Sequence, residues 1–279
     1  MKHYIVTRFN VKIEDFQKDK NGKSIKDAEY LSRRFYLFEK YCFPSIEKQT
    51  NRNFRWLVYF DVDTPESFKQ RNNTLCLRLP IYEPIYVRDY SDFLFHYQSK
   101  CSDTEETVIF TRLDNDDVLM PEYVSSIQDY ILQYNVQNGI VDYPIGLLYD
   151  LQTKIMVQCE IRSYHFLSVV DTDRKQSKKL YQVHSKLKET KPYYLIVADA
   201  PLWIEFCHES NILNDINRTN GKVLFKDRYS GMQLPISFIL SSLHLLRLFC
   251  FTIFDMIKYK ILRPAAVSIG IRHSSKMDK

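Results

Sequence analysis

Three aspartates stand within four positions of one another, directly after an apolar stretch of the chain. Asp114, Asp116 and Asp117 follow the run at positions 108–113, a pattern typical of a buried strand that brings acidic groups to the edge of a sheet. Carboxylates this close repel one another, so a pKa rises or the loop opens unless a cation compensates them. Oxygen ligands favour Mg²⁺, Mn²⁺ or Ca²⁺ over zinc. The stretch therefore predicts a site for a divalent ion or a cationic ligand.

The meaning of the Asp-x-Asp pair formed by Asp114 and Asp116 depends on its surroundings. By itself such a pair is weak evidence, because acidic turns are common and most are solvated loops. Here a predicted strand precedes the pair and a predicted helix start at 119–123 follows it, which favours a ligand site. The calcium loop of an EF-hand is set aside, because its glycine and its distant glutamate are missing.

Further polar residues stand at the ends of two earlier predicted strands. Thr7, Arg8 and Asn10 follow the strand at 4–6, and Asp61 and Asp63 end the strand at 54–60. Ligands bind at the carboxyl ends of strands in open α/β sheets, so we expect these residues near the acidic cluster. Two alternatives stay open: Arg8 could pair with a neighbouring aspartate instead of a phosphate or a base, and the two aspartates could only cap the following turn.

The second half of the chain brings two more ionisable groups to the ends of apolar runs. Asp199 follows the run at 194–198, and His208 follows the run at 202–207. A carboxylate at such a position is a candidate general base, but Asp199 could equally be the N-cap of a helix. His208 is a candidate metal or diphosphate contact, and a histidine after apolar residues is as often structural.

Strands and helices alternate through the first half. Strands are predicted at 4–6, 54–60, 81–87 and 108–113, and helices at 30–49, from 64, at 92–100 and at 121–134. This alternation predicts a doubly wound, mainly parallel sheet. Pro84 suggests that the third strand is an edge strand, and Pro44 predicts a bend in the first helix. Residues 15–29 are charged and irregular, which predicts an exposed loop.

The second half changes character. Strand-like runs at 139–143, 146–150 and 154–159 are joined too closely for crossover helices, which predicts antiparallel pairing. A basic, polar stretch at 173–191 precedes two further strand-like runs, at 194–199 and 202–208.

Composition limits the class of protein. With 279 residues and 45% hydrophobic content, the chain can bury the core of one large α/β domain. Its six cysteines show no Cys-x-x-Cys pair, which predicts reduced thiols. The N-terminal residues do not resemble a signal peptide, so we expect the cytoplasm. Outside residues 258–279 the charges cancel, 33 basic against 33 acidic, which argues against nucleic-acid binding.

The C-terminal part predicts an amphipathic helix followed by a basic tail. Thirteen of the nineteen residues at 236–254 are apolar, and most polar ones fall on one side of a helical wheel. His244 and Arg247 near the middle make a membrane span unfavourable. Residues 258–279 hold six basic residues and one acidic residue. A helix lying at a membrane surface fits this pattern, and a core or dimer helix fits it equally.

Several of these motifs together resemble one family. They are Thr7-Arg8-Phe9-Asn10, the run from 37 to 61, Thr111-Arg112-Leu113-Asp114-Asn115-Asp116-Asp117, and Trp203 with His208 and Asn211. In this order, over about residues 3–215, they resemble the rhamnosyltransferase group of bacterial glycosyltransferases, which is similar to the large inverting family with the GT-A fold.

The resemblance implies a domain division. It gives a GT-A-like domain at 1–233, with a nucleotide-binding half at 1–135 and a smaller antiparallel acceptor-side half at 136–233. Residues 234–279 follow as an amphipathic helix and basic tail.

The resemblance also implies roles for the candidate residues. Asp114 faces the ribose, Asp116 binds a divalent cation, Mg²⁺ or Mn²⁺, on the diphosphate, and Asp117 and His208 assist. The remaining contacts to the donor nucleotide come from Thr7, Arg8, Asn10, Asp61, Asp63 and Arg112. Asp199 is the catalytic base, with Glu209 and Asp142 as the other candidates. Where the family has Gly-Gly after the histidine, this chain has Glu209-Ser210.

Together, these expectations predict a metal-dependent inverting glycosyltransferase. It would move a sugar from a nucleotide-sugar donor to a glycan or lipid-linked acceptor, in the cytoplasm or at the cytoplasmic face of the membrane. Rhamnose is only the label of the group, and a hexose fits the sequence equally, since donor choice depends on pocket shape. Two alternatives stay open: another metal-dependent phosphotransferase or nuclease, and a non-catalytic module that binds a nucleotide or a glycan.

Overall fold

The computed structural model describes most of the chain. The described residues are 1–12, 28–102, 106–162, 166–172, 180–181, 192–196, 198–208, 216 and 221–257. The predicted loop at 15–29 lies outside them except for its last two residues, which begin the first helix. Most of the basic stretch at 173–191, Glu209, Asn211 and the basic tail also lie outside them.

Strands and helices alternate over the first half of the chain, as predicted. The strands are β1 (Lys2–Arg8), β2 (Arg55–Asp61), β3 (Tyr82–Val87), β4 (Val108–Arg112), β5 (Val118–Leu119), β6 (Gly139–Asp142), β7 (Ile145–Asp150), β8 (Met156–Glu160), β9 (Leu167–Asp171), β10 (Tyr193–Leu195), β11 (Trp203–Cys207) and β12 (Lys222–Leu224). The helices are α1 (Ala28–Leu37), α2 (Phe43–Glu47), α3 (Glu66–Arg78), α4 (Tyr90–Ser102), α5 (Tyr123–Gln133) and α6 (Phe238–Ile257).

A seven-stranded sheet in the order β10-β6-β9-β4-β1-β2-β3 forms the centre of the fold. β1 pairs in parallel with β2 and β4, and β2 pairs in parallel with β3. β9 is the antiparallel strand, inserted between β4 and β6. The mainly parallel sheet is therefore confirmed, and β3 with its Pro84 lies at the edge, as predicted.

A smaller sheet in the order β12-β8-β7-β11-β5 lies beside it. Its pairs are antiparallel except for β7 with β11. This confirms a smaller, mainly antiparallel region, but the predicted pairing of β6 with β7 is wrong. Only Tyr143 and Pro144 separate the two strands, yet β6 is buried along its whole length between two strands of the large sheet, whereas β7 pairs with β8 and β11.

Apolar side chains fill both faces of the large sheet. Ile5 and Trp56 belong to one hydrophobic cluster, and Val6 and Leu57 belong to the other. A sheet covered on both faces is what near-continuous apolar strands predict. The first cluster is rich in aromatic rings, and its Phe9 lies 4.5 Å from Phe35 between ring centroids.

The predicted helix at 30–49 is divided in three. α1 ends at Leu37, a π-helical turn covers Phe38–Cys42, and α2 follows with Pro44 in its first turn. The π-helical turn and Pro44 together account for the predicted interruption. α1 buries Leu31 and Phe35, and Arg34 stands between them on the same side of the helix.

Trp203 belongs to the core of the smaller sheet. Its ring stacks on Phe166 with centroids 4.4 Å apart, and its Nε1 donates to the Tyr143 carbonyl over 2.8 Å. A Cβ atom at Gly146 would overlap the indole, so the glycine makes room for it. Trp203 is a packing residue at the junction of the two sheets.

Candidate active site

The acidic loop stands at the carboxyl end of β4, beside the carboxyl end of β1. Val6 is opposite Arg112 in the parallel register, and the Leu113 amide donates to the Val6 carbonyl over 3.1 Å. The Asp117 amide donates to the Asp114 carbonyl over 3.3 Å, which closes the loop into a turn. The sheet therefore places the ends of both strands at one site, as open α/β sheets do.

Arg112 compensates the first aspartate of the loop. Its Nη2 lies 3.3 Å from Asp114 Oδ2, and its guanidinium lies 5.1 Å from the ring centroid of Tyr181. The Asp114 side chain remains about one-third exposed, so its oxygens can also meet a ligand. Arg112 and Asp114 thus lie together at the carboxyl end of β4.

Arg34 and His208 hold the second aspartate. Arg34 Nη1 lies 2.7 Å from Asp116 Oδ2, Arg34 Nη2 lies 3.1 Å from Asp116 Oδ1, and His208 Nε2 lies 2.7 Å from Asp116 Oδ2. Arg34 also donates to the side chain of Asn115. Burial opposes ionisation of Asp116, but the charge of Arg34 and the hydrogen bond from His208 outweigh it and lower the pKa of this carboxyl.

The third aspartate faces the smaller sheet. Asp117 Oδ1 accepts a hydrogen bond from the backbone amide of Phe206 on β11 over 3.1 Å. Burial, with repulsion from Asp116 and Asp114, raises the pKa of Asp117 well above its usual value. Burial and repulsion therefore favour the protonated form of Asp117, whereas Asp114 and Asp116 are each paired with an arginine.

The predicted metal ligands do not fit a divalent cation as they are arranged. Both oxygens of Asp116 face the Arg34 guanidinium, and Asp117 is turned towards β11. Within the described part of the chain, no group of three His, Cys, Asp or Glu side chains is placed to hold a metal ion. The guanidinium of Arg34 occupies the position next to Asp116 that a cation would need.

The Arg8 guanidinium packs against two tyrosine rings. It lies 4.6 Å from the ring centroid of Tyr181 and 5.9 Å from that of Tyr90. Among the described residues its buried Nε meets no hydrogen-bond acceptor, and no carboxylate forms an ion pair with it. Pairing with a neighbouring aspartate, one of the alternatives from the sequence, is therefore not found there. Arg8 has a guanidinium edge available for an anion.

The loops after β1 and β2 are tied together. Lys12 Nζ lies 2.6 Å from Asp63 Oδ2 and 3.2 Å from Asp61 Oδ1, and these contacts raise the pKa of Lys12. Asn10 Oδ1 accepts from the Asp61 amide over 3.1 Å, and Asp61 Oδ1 accepts from the Asp63 amide over 2.9 Å. Asp61 thus caps the turn, whereas the Asp63 side chain is three-quarters exposed.

Thr7 lies in β1, next to Arg8. It is fully buried, and its hydroxyl accepts a hydrogen bond from Trp56 Nε1 over 3.0 Å. Its side chain is thus engaged inside the sheet. Thr64 accepts a hydrogen bond from Asn10 Nδ2 over 3.1 Å, and Pro65 occupies the N-cap position of α3.

The candidates for the base differ in their surroundings. Asp142 is fully buried and accepts from the Tyr193 hydroxyl over 2.6 Å, which is a structural contact. Asp199 is exposed between β10 and β11. The element after it is strand β11, so the alternative role of Asp199 as a helix N-cap is excluded.

Sequence inspection did not find three residues of the site. They are Arg34 beside Asp116, Tyr181 beside Arg8 and Arg112, and Lys12 beside Asp61 and Asp63. Arg34 had a detectable signal, since it is a charged residue between the apolar positions Leu31 and Phe35 of one helix face. Tyr181 had none, because it lies far along the chain in a polar stretch.

A protein-family model matches most of the chain. The model of the family described as "Putative rhamnosyl transferase" matches residues 3–220, more than half of the chain. The chain belongs to this family. This confirms the family resemblance of the sequence motifs. No curated protein matches the chain.

Solved structures share a loose likeness with the chain. The S. aureus TarS fragment 1–349 is 9% identical with a TM-score of 0.43, over 74% of this chain and 60% of that one. The same fragment in complex with UDP-GlcNAc is 10% identical with a TM-score of 0.43, over 76% and 60%. A "putative nucleotide-diphospho-sugar transferase" from Desulfovibrio desulfuricans G20 is 10% identical with a TM-score of 0.37, over 76% and 84%. The chain thus spans less than two-thirds of the TarS fragment.

Proposed function

We propose that the protein transfers a sugar, with inversion at the anomeric carbon, from a nucleotide-sugar donor to a glycan or lipid-linked acceptor. The proposed donor site rests mainly on one observation. The Arg8 guanidinium packs on the Tyr181 ring beside the acidic loop and has no carboxylate partner among the described residues. A partly buried guanidinium without a counter-charge is a suitable site for a phosphate oxygen.

The charges around the loop suit a diphosphate. Arg34 is paired with Asp116, and Arg112 is paired with Asp114. Arg8 has no carboxylate partner among the described residues, so its positive charge is not offset there. An anionic leaving group is stabilised by such fixed charges more than it would be in water. Asp114, partly exposed, is positioned to accept a hydrogen bond from a ribose hydroxyl.

For the base we propose Asp199. In an inverting transfer the acceptor hydroxyl oxygen attacks the anomeric carbon while the bond from that carbon to the diphosphate oxygen breaks. The electron pair of that bond goes to the diphosphate, and the hydroxyl proton goes to the carboxylate. An exposed carboxylate before β11, with no helix to cap, is suited to meet an acceptor from solvent.

The divalent cation stays a prediction. Mg²⁺ or Mn²⁺ on Asp116, with Asp117 and His208, would supply charge compensation to the diphosphate, but it would require Arg34 to leave Asp116. The steps above therefore rely on arginines alone. Whether Mn²⁺ strengthens donor binding separates the two arrangements.

The first experiment is calorimetric titration of UDP, dTDP and GDP into the protein, with and without Mn²⁺. We expect one nucleotide to bind selectively and Arg8→Gln to weaken it about 10-fold to 100-fold, because a hydrogen bond to a charged group contributes about 1.5–3 kcal/mol. Arg88→Gln is the matched control, since Arg88 follows β3 at the same sheet edge but is exposed and paired with Asp92.

The results separate the candidate functions. Equal affinities of Arg8→Gln and wild type for the selected nucleotide would contradict the donor site. No binding of any nucleotide by the wild type would favour a non-catalytic module. The protein would instead be a phosphotransferase if it bound one nucleotide selectively and hydrolysed or transferred a phosphoryl group without transferring sugar.

A further inference from the structure

Helix α6 presents its apolar side to solvent. Six of its large apolar side chains are between 47% and 71% exposed: Phe238, Ile239, Leu243, Leu245, Leu246 and Phe249. Its inward side instead holds Ser241 and His244, which are 0% and 5% exposed. A surface helix of a globular protein has the opposite arrangement, with apolar residues inward and polar residues outward.

The helix is anchored at its N-terminal end. Phe238 packs on Phe225 beside β12, with ring centroids 5.4 Å apart, and the Ser237 amide donates to the Lys154 carbonyl over 3.0 Å. Leu248 contacts the hydrophobic core. These contacts fix which side of α6 faces outward. These six exposed residues define what we call the α6 face: Phe238, Ile239, Leu243, Leu245, Leu246 and Phe249.

A contiguous apolar surface of this kind marks a binding site for a protein or a membrane. The sequence directly after α6 favours the membrane. Residues 258–279 carry six basic residues and one acidic residue, a net charge of +5, while the rest of the chain has 33 of each sign. An apolar helix face followed by a basic cluster combines the two signals that peripheral attachment to an anionic bilayer requires.

Two other occupants fit less well. In a second copy of the chain docked through the α6 face, another +5 segment would follow the same helix, which opposes association. A membrane span is not supported, since none of the helices in the described ranges is long and apolar enough to cross a bilayer.

We infer that the α6 face binds the surface of an anionic lipid bilayer, with α6 lying in the plane of the interface. Arg247 is exposed among the apolar residues, and a long basic side chain can reach the headgroups while its stem stays among apolar groups. This inference does not depend on the proposed sugar transfer.

The test is co-sedimentation of the full chain with lipid vesicles. We expect binding to vesicles of phosphatidylcholine mixed with phosphatidylglycerol, and weaker binding to phosphatidylcholine alone or at high salt. The triple variant Leu243→Ser, Leu246→Ser, Phe249→Ser removes three exposed apolar side chains, so we expect at least about 10-fold weaker binding to the mixed vesicles.

A matched control exists elsewhere on the surface. Leu77, Phe95 and Leu132 lie on α3, α4 and α5 and are 86%, 78% and 67% exposed, so the corresponding triple Ser variant makes the same chemical change away from α6. It should sediment like the wild type. Nucleotide titration of both variants shows whether the donor site is intact, which separates a failure of this inference from a failure of the proposed function.

Three outcomes would overturn the inference. In the first, the wild type does not bind the mixed vesicles. In the second, the α6 variant binds them as well as the control does. In the third, the wild type does not bind vesicles and is a dimer without lipid, whereas the α6 variant is a monomer. The last outcome would assign the α6 face to a second copy of the chain. Analytical ultracentrifugation without lipid measures it.

Discussion

At the scale of single residues, the acidic loop obtains its positive charges from distant parts of the chain. Arg34 on α1 lies 82 residues before Asp116, and His208 lies 92 residues after it. Spacing along the sequence correctly indicated that the aspartates need compensation, but it could not name the donor. A contact over this distance follows from how α1 packs on the sheet, not from any local pattern.

Arg34→Gln tests whether an arginine stands where a cation was expected. We expect the wild type to bind the nucleoside diphosphate with little change on adding Mn²⁺. In the variant, binding without Mn²⁺ should weaken by about 10-fold or more, because a charged hydrogen-bond donor is lost from a buried site. Mn²⁺ should then restore part of it, since Asp116 and His208 are released for a metal.

Calorimetry of both proteins, with and without Mn²⁺, measures these affinities. Arg33→Gln is the control, because it removes the same charge from the adjacent position of α1. The prediction would be contradicted if the wild type required Mn²⁺ to bind the nucleotide and Arg34→Gln had the same affinity as the wild type. A metal ion would then compensate Asp116, and Arg34 would be dispensable for nucleotide binding.

At the scale of the elements, the segment between β10 and β11 decides how Asp199 is tested. A helix N-cap lost by mutation destabilises the fold by about 0.5–2 kcal/mol, whereas an exposed carboxylate before a strand stabilises little. We therefore expect Asp199→Asn to lower the turnover number at least about 100-fold, the lower range for general base catalysis. Nucleotide affinity and the free energy of unfolding should stay unchanged.

Measurement of sugar transfer, calorimetry and urea unfolding give these three quantities. Asp129→Asn makes the same change at an exposed position of α5 and should leave all three unaltered. If Asp199→Asn transfers sugar at the wild-type rate, the base is another group.

The elements themselves could be predicted from the sequence to a large extent. The parallel strands β1 to β4, their order in the chain and the polar residues at their ends follow from apolar runs and helix starts. The partners of β6 could not be predicted, because Tyr143 and Pro144 look like a hairpin turn but lead from one sheet to the other. β9 was missed because a run of six residues at 166–171 carries little periodicity, and its place between β4 and β6 depends on contacts far along the chain.

The orientation of α6 is a similar case. The sequence predicted an amphipathic helix, but the amphipathic pattern does not say which side faces the protein. Only the structure reveals that Ser241 and His244 face inward and that the apolar side is exposed.

At the scale of the whole molecule, His3 connects the large sheet to a helix on its surface. Its Nε2 lies 2.8 Å from the hydroxyl of Thr111 on β4, and its Nδ1 lies 3.2 Å from Gln128 on α5. The ring is almost fully buried, and burial lowers the pKa of His3 to about 3. It is therefore neutral in the folded protein over the whole physiological range.

Stability should fall as the pH falls below the value at which an unfolded histidine takes up a proton. Between the unfolded pKa of 6.5 and the folded pKa of about 3, only the unfolded chain binds that proton, so acid favours unfolding. From pH 7 to pH 5 we expect this group to remove about 2 kcal/mol from the free energy of unfolding.

Urea unfolding at the two pH values measures the loss, and His3→Gln isolates it. Glutamine keeps a polar group in the network but does not titrate, so the variant should lose about 2 kcal/mol less than the wild type over the same interval. Equal losses in the two proteins would show that His3 is not responsible.

The position of β9 has a consequence for how the protein folds during translation. Until residues 167–171 emerge, β4 has β1 on one side and no neighbour on the other, so the nascent chain carries an open apolar strand edge next to its acidic loop. The partners of Asp117 and Asp116, Phe206 and His208, emerge later still. Translation must therefore pass beyond residue 208 before the proposed donor site can form, and until then the partly synthesised domain is prone to aggregation.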